Sequence, residues 1–313
     1  MSTHEGWLQL SLQCDKAIVA RAEDTLLDLG ALSVTLQDQG DQPVLEPGVG
    51  ETPLWDQVLL GALFPIDCDQ QHIQRTLRTH YPDAALDLMP LADEDWSRKW
   101  LDQFQPICCG ERLWICPSWT PPPNSDAVNL MLDPGLAFGT GTHPTTALCL
   151  QWLDGSELDG NVVVDYGCGS GILAIAALLL GAHHAICIDN DPQALAATRN
   201  NADNNNIAAE KMTVCSPEQA EQLFDKLIDN GAPIPIMMAN ILAAPLIDLA
   251  PALTRPLCEN AEIILSGILD SQTDAVSAAY RSIVAFDAPV VRDGWALLHG
   301  RTLAMAAKPS GTR

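Results

Sequence analysis

The sequence predicts an α/β protein in which a small α+β domain precedes a larger, doubly wound domain. The chain has 313 residues, and at roughly 100–200 residues per domain this length favours two domains. Strand and helix patterns alternate in the first third of the chain. From residue 161 onward, short apolar strands are each followed by a helix, which is typical of a parallel sheet covered on both faces.

The first 91 residues predict one antiparallel sheet covered by two helices. Trp7–Leu12 alternates apolar and polar residues, as a half-buried strand does. The first helix has apolar residues at helical spacing and stops at Gly30, a residue typical of helix ends. The order β-α-β-β-α-β is that of a ferredoxin-like layer. Its predicted elements are strands Trp7–Leu12, Leu32–Leu36, Val58–Phe64 and Ala85–Leu91 and helices Ala17–Leu29 and Asp69–His80.

A short helix is predicted to link the two domains. The segment Asp93–Trp100 has acidic residues at its start, where the helix dipole favours them, and Trp96 and Trp100 share one face. We therefore expect a small domain at 1–91, a linker helix at 92–105, a larger domain at 106–303 and a disordered tail at 304–313.

The larger domain is predicted from repeated strand–helix units. Its first strand, Val162–Asp165, begins with three valines and is of the kind buried in a parallel sheet. Further strands are predicted at Ala185–Ile188, Met212–Cys215, Ile234–Ala239, Glu262–Leu265, Pro289–Val291 and Trp295–His299. Helices are predicted at Thr146–Trp152, Ile172–Leu180, Pro192–Asn201, Pro217–Phe224, Leu242–Leu253 and Ser271–Ser282.

The chain is strongly acidic. It has 40 Asp and Glu residues against 16 Lys and Arg, which gives a formal net charge of −24 and a pI near 4.3. Residues 1–105 hold 18 acidic and 6 basic side chains, so half of the net charge lies in one third of the chain. Such a charge repels nucleic acid and attracts basic partners. We therefore expect no direct nucleic-acid binding and a basic partner docked on the N-terminal domain.

Membrane, secreted and metal-binding classes are not indicated. No apolar run approaches the roughly 20 residues needed to cross a bilayer. Met1–Leu12 lacks the basic and apolar regions of a secretory signal. The 10 Cys residues include no Cys-x-x-Cys pair and no Cys/His cluster at zinc spacing. We expect a cytoplasmic monomer with reduced thiols and without a metal.

The glycine-rich loop Asp165–Gly171 carries the strongest chemical signal. It lies between a predicted strand and a predicted helix, where glycines let the backbone approach a bound cofactor closely. The spacing of Gly167, Gly169 and Gly171 differs from the dinucleotide fingerprint, and Asp165 stands where it could orient an amino group. Both features favour S-adenosylmethionine over NAD as cofactor. The structural alternative is a tight turn without a ligand.

A second acidic residue is expected to bind the cofactor ribose. Asp189 follows Gly167 by 22 residues and ends the second strand of the larger domain, where a carboxylate accepts hydrogen bonds from ribose hydroxyls. Asp191 is the competing residue. Because Asp191 directly precedes Pro192, it is expected to begin the next helix instead.

Two further segments offer polar side chains. Leu136–Thr146 is glycine-rich and predicts a flexible flap whose hydroxyls meet a polar ligand. His143 in this flap is either a structural helix cap or a catalytic group. Asn240 follows the strand Ile234–Ala239, at the sheet edge where ligands bind in open α/β sheets. Its side chain either orients an attacking amine or caps the next helix.

These segments together resemble one protein family. Leu132–Thr146, Asp165–Gly171, Ala239–Leu242 and Ser266–Leu269 are similar to motifs of the bacterial ribosomal protein L-eleven methyltransferases. The likeness runs over about residues 5–303. The flap motif is specific to that family, whereas the glycine loop alone indicates only a class I methyltransferase.

The resemblance implies both a fold and an activity. The fold is a Rossmann-like seven-stranded sheet of the class I methyltransferases, preceded by a ferredoxin-like substrate-recognition domain. The activity is transfer of methyl groups from S-adenosylmethionine to lysine side chains and the α-amine of that ribosomal protein, free or on the ribosome. The implied cofactor contacts are Thr145, Gly167, Asp189 and Asn240, with Asn240 also the catalytic residue on the amine side, and Asp165 and Gly169 of the loop complete the predicted site.

Three other functions stay open at this point. They are a methyltransferase of another protein or a small molecule, an NAD-dependent dehydrogenase, and a non-catalytic ribosome-assembly protein. Two features depart from the family. Pro233 and Pro235 stand in the approach to Asn240 where an Asp is usual, and the tail beyond residue 303 extends past the family's usual end. These prolines make the local strand geometry an open question.

Overall fold

Most of the chain is described, and it divides into two units. The computed structural model describes residues 6–40, 54–91, 105–133 and 141–304, and the chain divides into two units, residues 1–101 and 102–313. The predicted linker helix Asp93–Trp100, flap residues 136–140 and the tail beyond residue 304 lie outside the described residues.

The N-terminal unit has the predicted order of strands and helices. The elements are β1 (Trp7–Asp15), α1 (Val19–Asp28), β2 (Ser33–Asp38), β3 (Gln57–Pro65), α2 (Gln70–His80) and β4 (Leu86–Leu91). All neighbouring strands are antiparallel, in the order β2-β3-β1-β4. Leu8, Leu10 and Leu12 alternate as buried residues along β1, in one core with Leu26 and Leu77 of the two helices. The period-2 pattern therefore gives one sheet face to the helices.

The C-terminal unit begins with a small sheet that the sequence did not predict. Its strands are β5 (Ile107–Cys108), β6 (Leu113–Cys116) and β7 (Val128–Met131). Strands of two to four residues are too short to produce a readable period. A large sheet and its covering helices follow.

The large sheet has five parallel strands followed by antiparallel ones. Its path is β10-β9-β8-β11-β12-β15-β13, seven strands in succession, and an eighth, β14, pairs with β15 outside that path. The strands are β8 (Val162–Tyr166), β9 (His184–Ile188), β10 (Met212–Cys215), β11 (Ile234–Asn240), β12 (Leu257–Leu269), β13 (Val284–Phe286), β14 (Val290–Arg292) and β15 (Trp295–Thr302). The helices are α3 (Pro144–Asp154), α4 (Ile172–Leu179), α5 (Pro192–Asn204), α6 (Pro217–Asp229), α7 (Ala243–Asp248), α8 (Ala250–Thr254) and α9 (Thr273–Tyr280).

Apolar cores cover both faces of this sheet. Val163 belongs to one core and its neighbour Val164 to the other, and Met238 and Met237 of β11 divide in the same way. Successive strand residues point to opposite faces, so a strand buried on both faces is apolar throughout. The doubly wound α/β architecture predicted for this region is confirmed.

Several predicted boundaries were wrong in detail. The helix predicted at Leu242–Leu253 is two helices, α7 and α8, because Pro251 lacks the N–H for a continuous helix and its ring crowds the carbonyl of Ile247. The helix predicted at Ser271–Ser282 ends at Tyr280. Strand β12 is much longer than predicted, and β13 was not predicted.

No helix in the described parts of the chain is both long and apolar enough to cross a bilayer. Within those same residues, no cluster of three or more His, Cys, Asp or Glu side chains is arranged to hold a metal ion.

Candidate functional site

The parallel strands bring the predicted site residues to one edge of the large sheet. Strands β9, β8 and β11 are neighbours, and their carboxyl ends carry Asp189, Asp165 and Asn240. Ala239 pairs with Tyr166 and Asn240 with Ser266 of β12, so these strands end at the same level. This is the edge at which open α/β sheets bind ligands.

The glycine loop is fastened across the end of β9. The backbone N–H groups of Gly167 and Cys168 donate to the carbonyl oxygen of Ile188 at 2.7 and 3.0 Å. Gly171 has φ +77°, and a Cβ atom there would lie 2.7 Å from Cγ2 of Thr198. Only glycine allows this left-handed turn at such a close approach between the loop and α5. All residues of the loop are buried or half-buried, so it forms a tightly packed turn at the sheet edge.

Asp165 lies beneath the loop, at the start of α4. It is 1% exposed, and its Oδ2 atom accepts a hydrogen bond from the N–H of Ala174 at 3.2 Å. Among the described residues, its Oδ1 is the one fully buried side-chain oxygen or nitrogen without a partner. Burial raises the pKa of Asp165 to about 7, the Ala174 hydrogen bond lowers it, and the charge of Asp189 raises it. The site therefore contains a buried carboxyl that a nearby positive charge would ionise.

Asp189 connects the end of β9 to the loop. Its Oδ2 accepts from the N–H of Gly169 and its Oδ1 from the N–H of Asp191, each at 2.9 Å. The side chain is half-buried, and each carboxylate oxygen has further lone pairs for a ligand hydroxyl. Asp191 is exposed and caps α5 through a hydrogen bond from the N–H of Gln193 at 2.8 Å. The two acids thus have different surroundings, and Asp191 has the helix-starting position expected of it.

His143 caps helix α3. Its Nδ1 atom accepts from the N–H of Thr145 at 3.4 Å and lies 2.7 Å from the Thr145 hydroxyl. The imidazole meets Trp295 edge-on, with ring centroids 4.7 Å apart, and burial lowers the pKa of His143. Of the two interpretations of His143, the geometry matches the structural one.

Asn240 faces the start of α3 instead of capping the helix that follows it. Its Nδ2 donates to the hydroxyl oxygen of Thr146 at 3.2 Å. Helix α7 begins after Leu242 without a side-chain cap, so the alternative role of Asn240 as its cap is wrong. The pairing of β11 with β12 is irregular between Ile234 and Ile236, around Pro235, and regular from Ile236 to Asn240. The proline-containing approach therefore does not disturb the strand end.

Ser266 begins one of the motifs that resemble the family, but the sequence predicted no role for it. This residue is fully buried, and its hydroxyl oxygen lies 3.0 Å from the carbonyl oxygen of Ala296 and 3.3 Å from that of Thr145. Its single O–H can donate to either carbonyl. Ser266 therefore ties β12 to the start of α3, where Thr145 is also buried. The sequence signal that could have identified Ser266 is its position as a polar residue directly after the predicted strand Glu262–Leu265.

A separate cavity of about 340 Å³ lies on another face of α3. It is lined by Pro144, Ala147 and Gln151 of that helix and by Cys108 and Arg292. No residue of the glycine loop lines it. Flap residues Gly141 and Thr142 also line this cavity, whereas the donor and acceptor groups that a polar cofactor needs lie at the strand ends.

The geometry is suited to a ligand with hydroxyl groups and a positive charge. Asp189 offers carboxylate lone pairs at the sheet edge, and Asp165 holds an unsatisfied buried acceptor beneath the loop. These groups fit the ribose and the amino group of S-adenosylmethionine, the cofactor predicted from the sequence. Asn240 and Thr145 stand on the neighbouring strand end and helix start.

Comparison with known proteins identifies similar chains. The family model described as ribosomal protein L11 methyltransferase (PrmA) matches residues 6–302. Ribosomal protein L11 methyltransferases of Pseudomonas putida (strain GB-1) and Pseudomonas syringae pv. tomato (strain ATCC BAA-871 / DC3000) are 48% and 49% identical to this chain, each over 94% of it and 99% of the relative. The crystal structure of a ribosomal protein L11 methylase from Lactobacillus delbrueckii subsp. bulgaricus aligns with TM-score 0.55 and 31% identity, over 64% of this chain and 100% of that one.

Proposed function

Because the chain belongs to the ribosomal protein L11 methyltransferase family, we propose that it transfers methyl groups from S-adenosylmethionine to lysine side chains and the α-amine of that ribosomal protein. The observation that carries this proposal is the family match over nearly the whole chain. The strand-end geometry supports it, because the glycine loop, Asp189 and Asn240 share one edge of the sheet.

Six residues are proposed to hold the cofactor: Thr145, Asp165, Gly167, Gly169, Asp189 and Asn240. When bound, S-adenosylmethionine supplies a methyl group on a positively charged sulfur, so the leaving group needs no protonation. Asp189 accepts hydrogen bonds from the ribose hydroxyls, in addition to those from Gly169 and Asp191. The carboxylate of Asp165 attracts the amino group from beneath the loop, and Gly167 and Gly169 give the backbone close access.

Asn240 is proposed to orient the incoming amine. Its amide is held by the hydrogen bond from Nδ2 to Thr146, and its oxygen is suited to accept an amine N–H. A lysine has to arrive neutral, and leaving water for the partly buried strand end lowers the lysine pKa. Holding reactants in line accounts for most of the rate enhancement such a site can give. We therefore assign no dedicated general base.

The two parts of the chain are proposed to divide the work. Residues 1–91 form a ferredoxin-like substrate-recognition domain, residues 92–105 link it to the catalytic domain, and residues 106–303 bind the cofactor in a seven-stranded class I methyltransferase sheet. The proposal gives residues 304–313 no role. The antiparallel order β2-β3-β1-β4 supports the first assignment.

The N-terminal unit is proposed to attract the basic ribosomal protein by charge. Its described part has eight exposed aspartates: Asp15, Asp24, Asp28, Asp56, Asp67, Asp69, Asp83 and Asp87. Complementary charge speeds the encounter of two proteins, an effect that salt screens. We place this reaction in the cytoplasm, with a monomeric enzyme that meets its substrate free or on the ribosome, without a membrane or a direct nucleic-acid contact.

One experiment tests the activity and its alternatives. Purified enzyme is mixed with radiolabelled S-adenosylmethionine and unmethylated large-subunit ribosomal proteins, and the labelled band is identified. Label in protein L11 alone is expected, whereas label in another protein indicates a different methyltransferase. Calorimetric titration should detect binding of S-adenosylhomocysteine and none of NADH, and the reverse result would indicate a dehydrogenase.

The variant Asn240→Ala tests the catalytic assignment. We expect kcat to fall about 10- to 100-fold and the Kd of S-adenosylhomocysteine to change by a smaller factor, because the amine loses its orientation. An unchanged kcat removes Asn240 from the mechanism.

A further inference from the structure

The turn after Asn240 is held between two glycines of neighbouring strand ends. A Cβ atom on Gly267, in β12, would lie 2.7 Å from the backbone C and 2.9 Å from the backbone N of Ile241, and would overlap its carbonyl oxygen. A Cβ atom on Gly167, after β8, would overlap Cγ2 of the Ile241 side chain. Ile241 is therefore fixed from one side through its backbone and from the other through its side chain.

The turn leads from Asn240 into helix α7. The helix starts without a side-chain cap at Ala243, which is buried in the core, and Leu242 before it is 49% exposed. Within this turn, Ile241 lies close to both neighbouring strand ends. Gly267 and Gly167 have φ values of +85° and +78°, which an L-residue adopts only with strain.

Strand β12 also reaches the other groups of the site. Ser266, directly before Gly267, pairs in register with Asn240 and lies within hydrogen-bond distance of the Thr145 carbonyl. Asn240 in turn donates to Thr146. The end of β12 thus contacts both the turn that carries Asn240 and the start of α3.

We propose that Gly267 and Gly167 are positioning residues for methyl transfer, which act through Ile241 to set the Asn240 amide against the incoming amine. This inference rests on the proposed function, and it gives Gly167 a second task besides close approach to the cofactor. Gly267 is not among the six residues proposed to hold the cofactor, so its effect is expected to fall more on kcat than on cofactor affinity.

The first test compares Gly267→Ala with a matched control, Gly160→Ala. Gly160 has φ +74°, a Cβ atom added to it would meet nothing within 4 Å, and it precedes β8 at the opposite sheet edge. The control therefore has the backbone strain without a collision. We expect Gly267→Ala to lower kcat by about 100-fold, as a misplacement of about 1 Å does, with less than a threefold change in the Kd of S-adenosylhomocysteine. Gly160→Ala should keep the wild-type kcat.

The second test uses the side-chain contact and remains informative if Gly267→Ala fails to fold. Gly167→Ala collides with Cγ2 of Ile241, whereas Ile241 Cβ lies 3.8 Å away, so Ile241→Ala removes the collision. The double variant Gly167→Ala/Ile241→Ala should recover at least about tenfold of the kcat lost by Gly167→Ala. Ile241→Ala should not rescue Gly267→Ala, because that collision is with backbone atoms.

The outcomes separate this inference from the proposed function. Wild-type kcat in Gly267→Ala, a loss confined to cofactor affinity, or an absence of rescue in the double variant would each overturn the positioning role. If the wild-type enzyme does not label protein L11, the proposed function fails instead. The inference is supported if Ile241→Ala restores kcat to Gly167→Ala but not to Gly267→Ala, and if Gly267→Ala keeps its cofactor affinity.

Discussion

The buried carboxyl of Asp165 should make the stability of the ligand-free protein depend on pH. Burial raises the pKa of Asp165 from 3.8 to about 7, while the N–H of Ala174 lowers it and the charge of Asp189 raises it. The other titratable groups that feel its charge are the buried thiols of Cys149 and Cys187, whose pKa values are raised and which stay neutral near pH 7. At about 1.4 kcal/mol per pH unit, the rise corresponds to at most about 4 kcal/mol of unfolding free energy.

The direction of this dependence follows from proton binding. Between pH 3.8 and about 7 the folded protein keeps the Asp165 proton that the unfolded chain has already lost. The stability contributed by the protonated carboxyl is therefore fully present below pH 3.8 and is lost as the pH rises through about 7. The variant Asp165→Asn has no proton to lose, and its amide oxygen can still accept from Ala174.

Denaturant unfolding at several pH values between 4 and 8 measures this effect. The difference in unfolding free energy between Asp165→Asn and the wild type should shift in favour of the variant by up to about 4 kcal/mol over that range. Asp191→Asn is the matched control, because Asp191 is exposed and Asn caps a helix as well as Asp does. Parallel profiles for Asp165→Asn and the wild type would refute the reasoning.

Three further predictions concern the cofactor site, helix α3 and the partner. Asp189→Ala should weaken S-adenosylhomocysteine binding about 5- to 100-fold in calorimetry, because the ribose hydroxyls and the N–H groups of Gly169 and Asp191 all lose their acceptor. An unchanged Kd contradicts the assignment. His143→Ala should cost about 1 kcal/mol and lower Tm by about 2–4 °C through loss of the α3 cap. Because burial lowers the pKa of His143 below 6.5, wild-type stability should also fall as the pH drops below that value. The part of this fall that is due to His143 should be absent in His143→Ala. Finally, the KM for protein L11 should rise with salt, and a salt-independent KM would exclude steering by the acidic N-terminal unit.

The order of elements in the N-terminal unit and of the strand–helix units that follow Val162 was predictable from local patterns. Alternation in Trp7–Leu12 and the three valines from Val162 each identify a strand from residues that are adjacent in the chain. The glycine spacing and the distance from Gly167 to Asp189 likewise locate a loop and a strand end without tertiary information. Periodicity fails where elements are very short, as in β5 (Ile107–Cys108).

The side-chain roles at the sheet edge could not be read in the same way. The sequence left Asn240 between two roles, and its hydrogen bond to Thr146 joins residues 94 positions apart. His143 was undecided until its contacts with Thr145 and Trp295 were known. Each of these roles depends on which distant residue packs alongside, and a local pattern does not contain that information.

By itself, therefore, the sequence determined the fold class, the position of the glycine-rich loop and the acidic character of the N-terminal unit, because these follow from composition and from spacing along the chain. The resemblance of its motifs indicated the family. Only the tertiary structure decided that Asp165 is a buried acid with a raised pKa and that Ile241 is wedged between Gly167 and Gly267. The physical reason is that desolvation and steric contact are summed over all neighbours in space. Strand ends that meet at one sheet edge acquire those neighbours only when the sheet has formed.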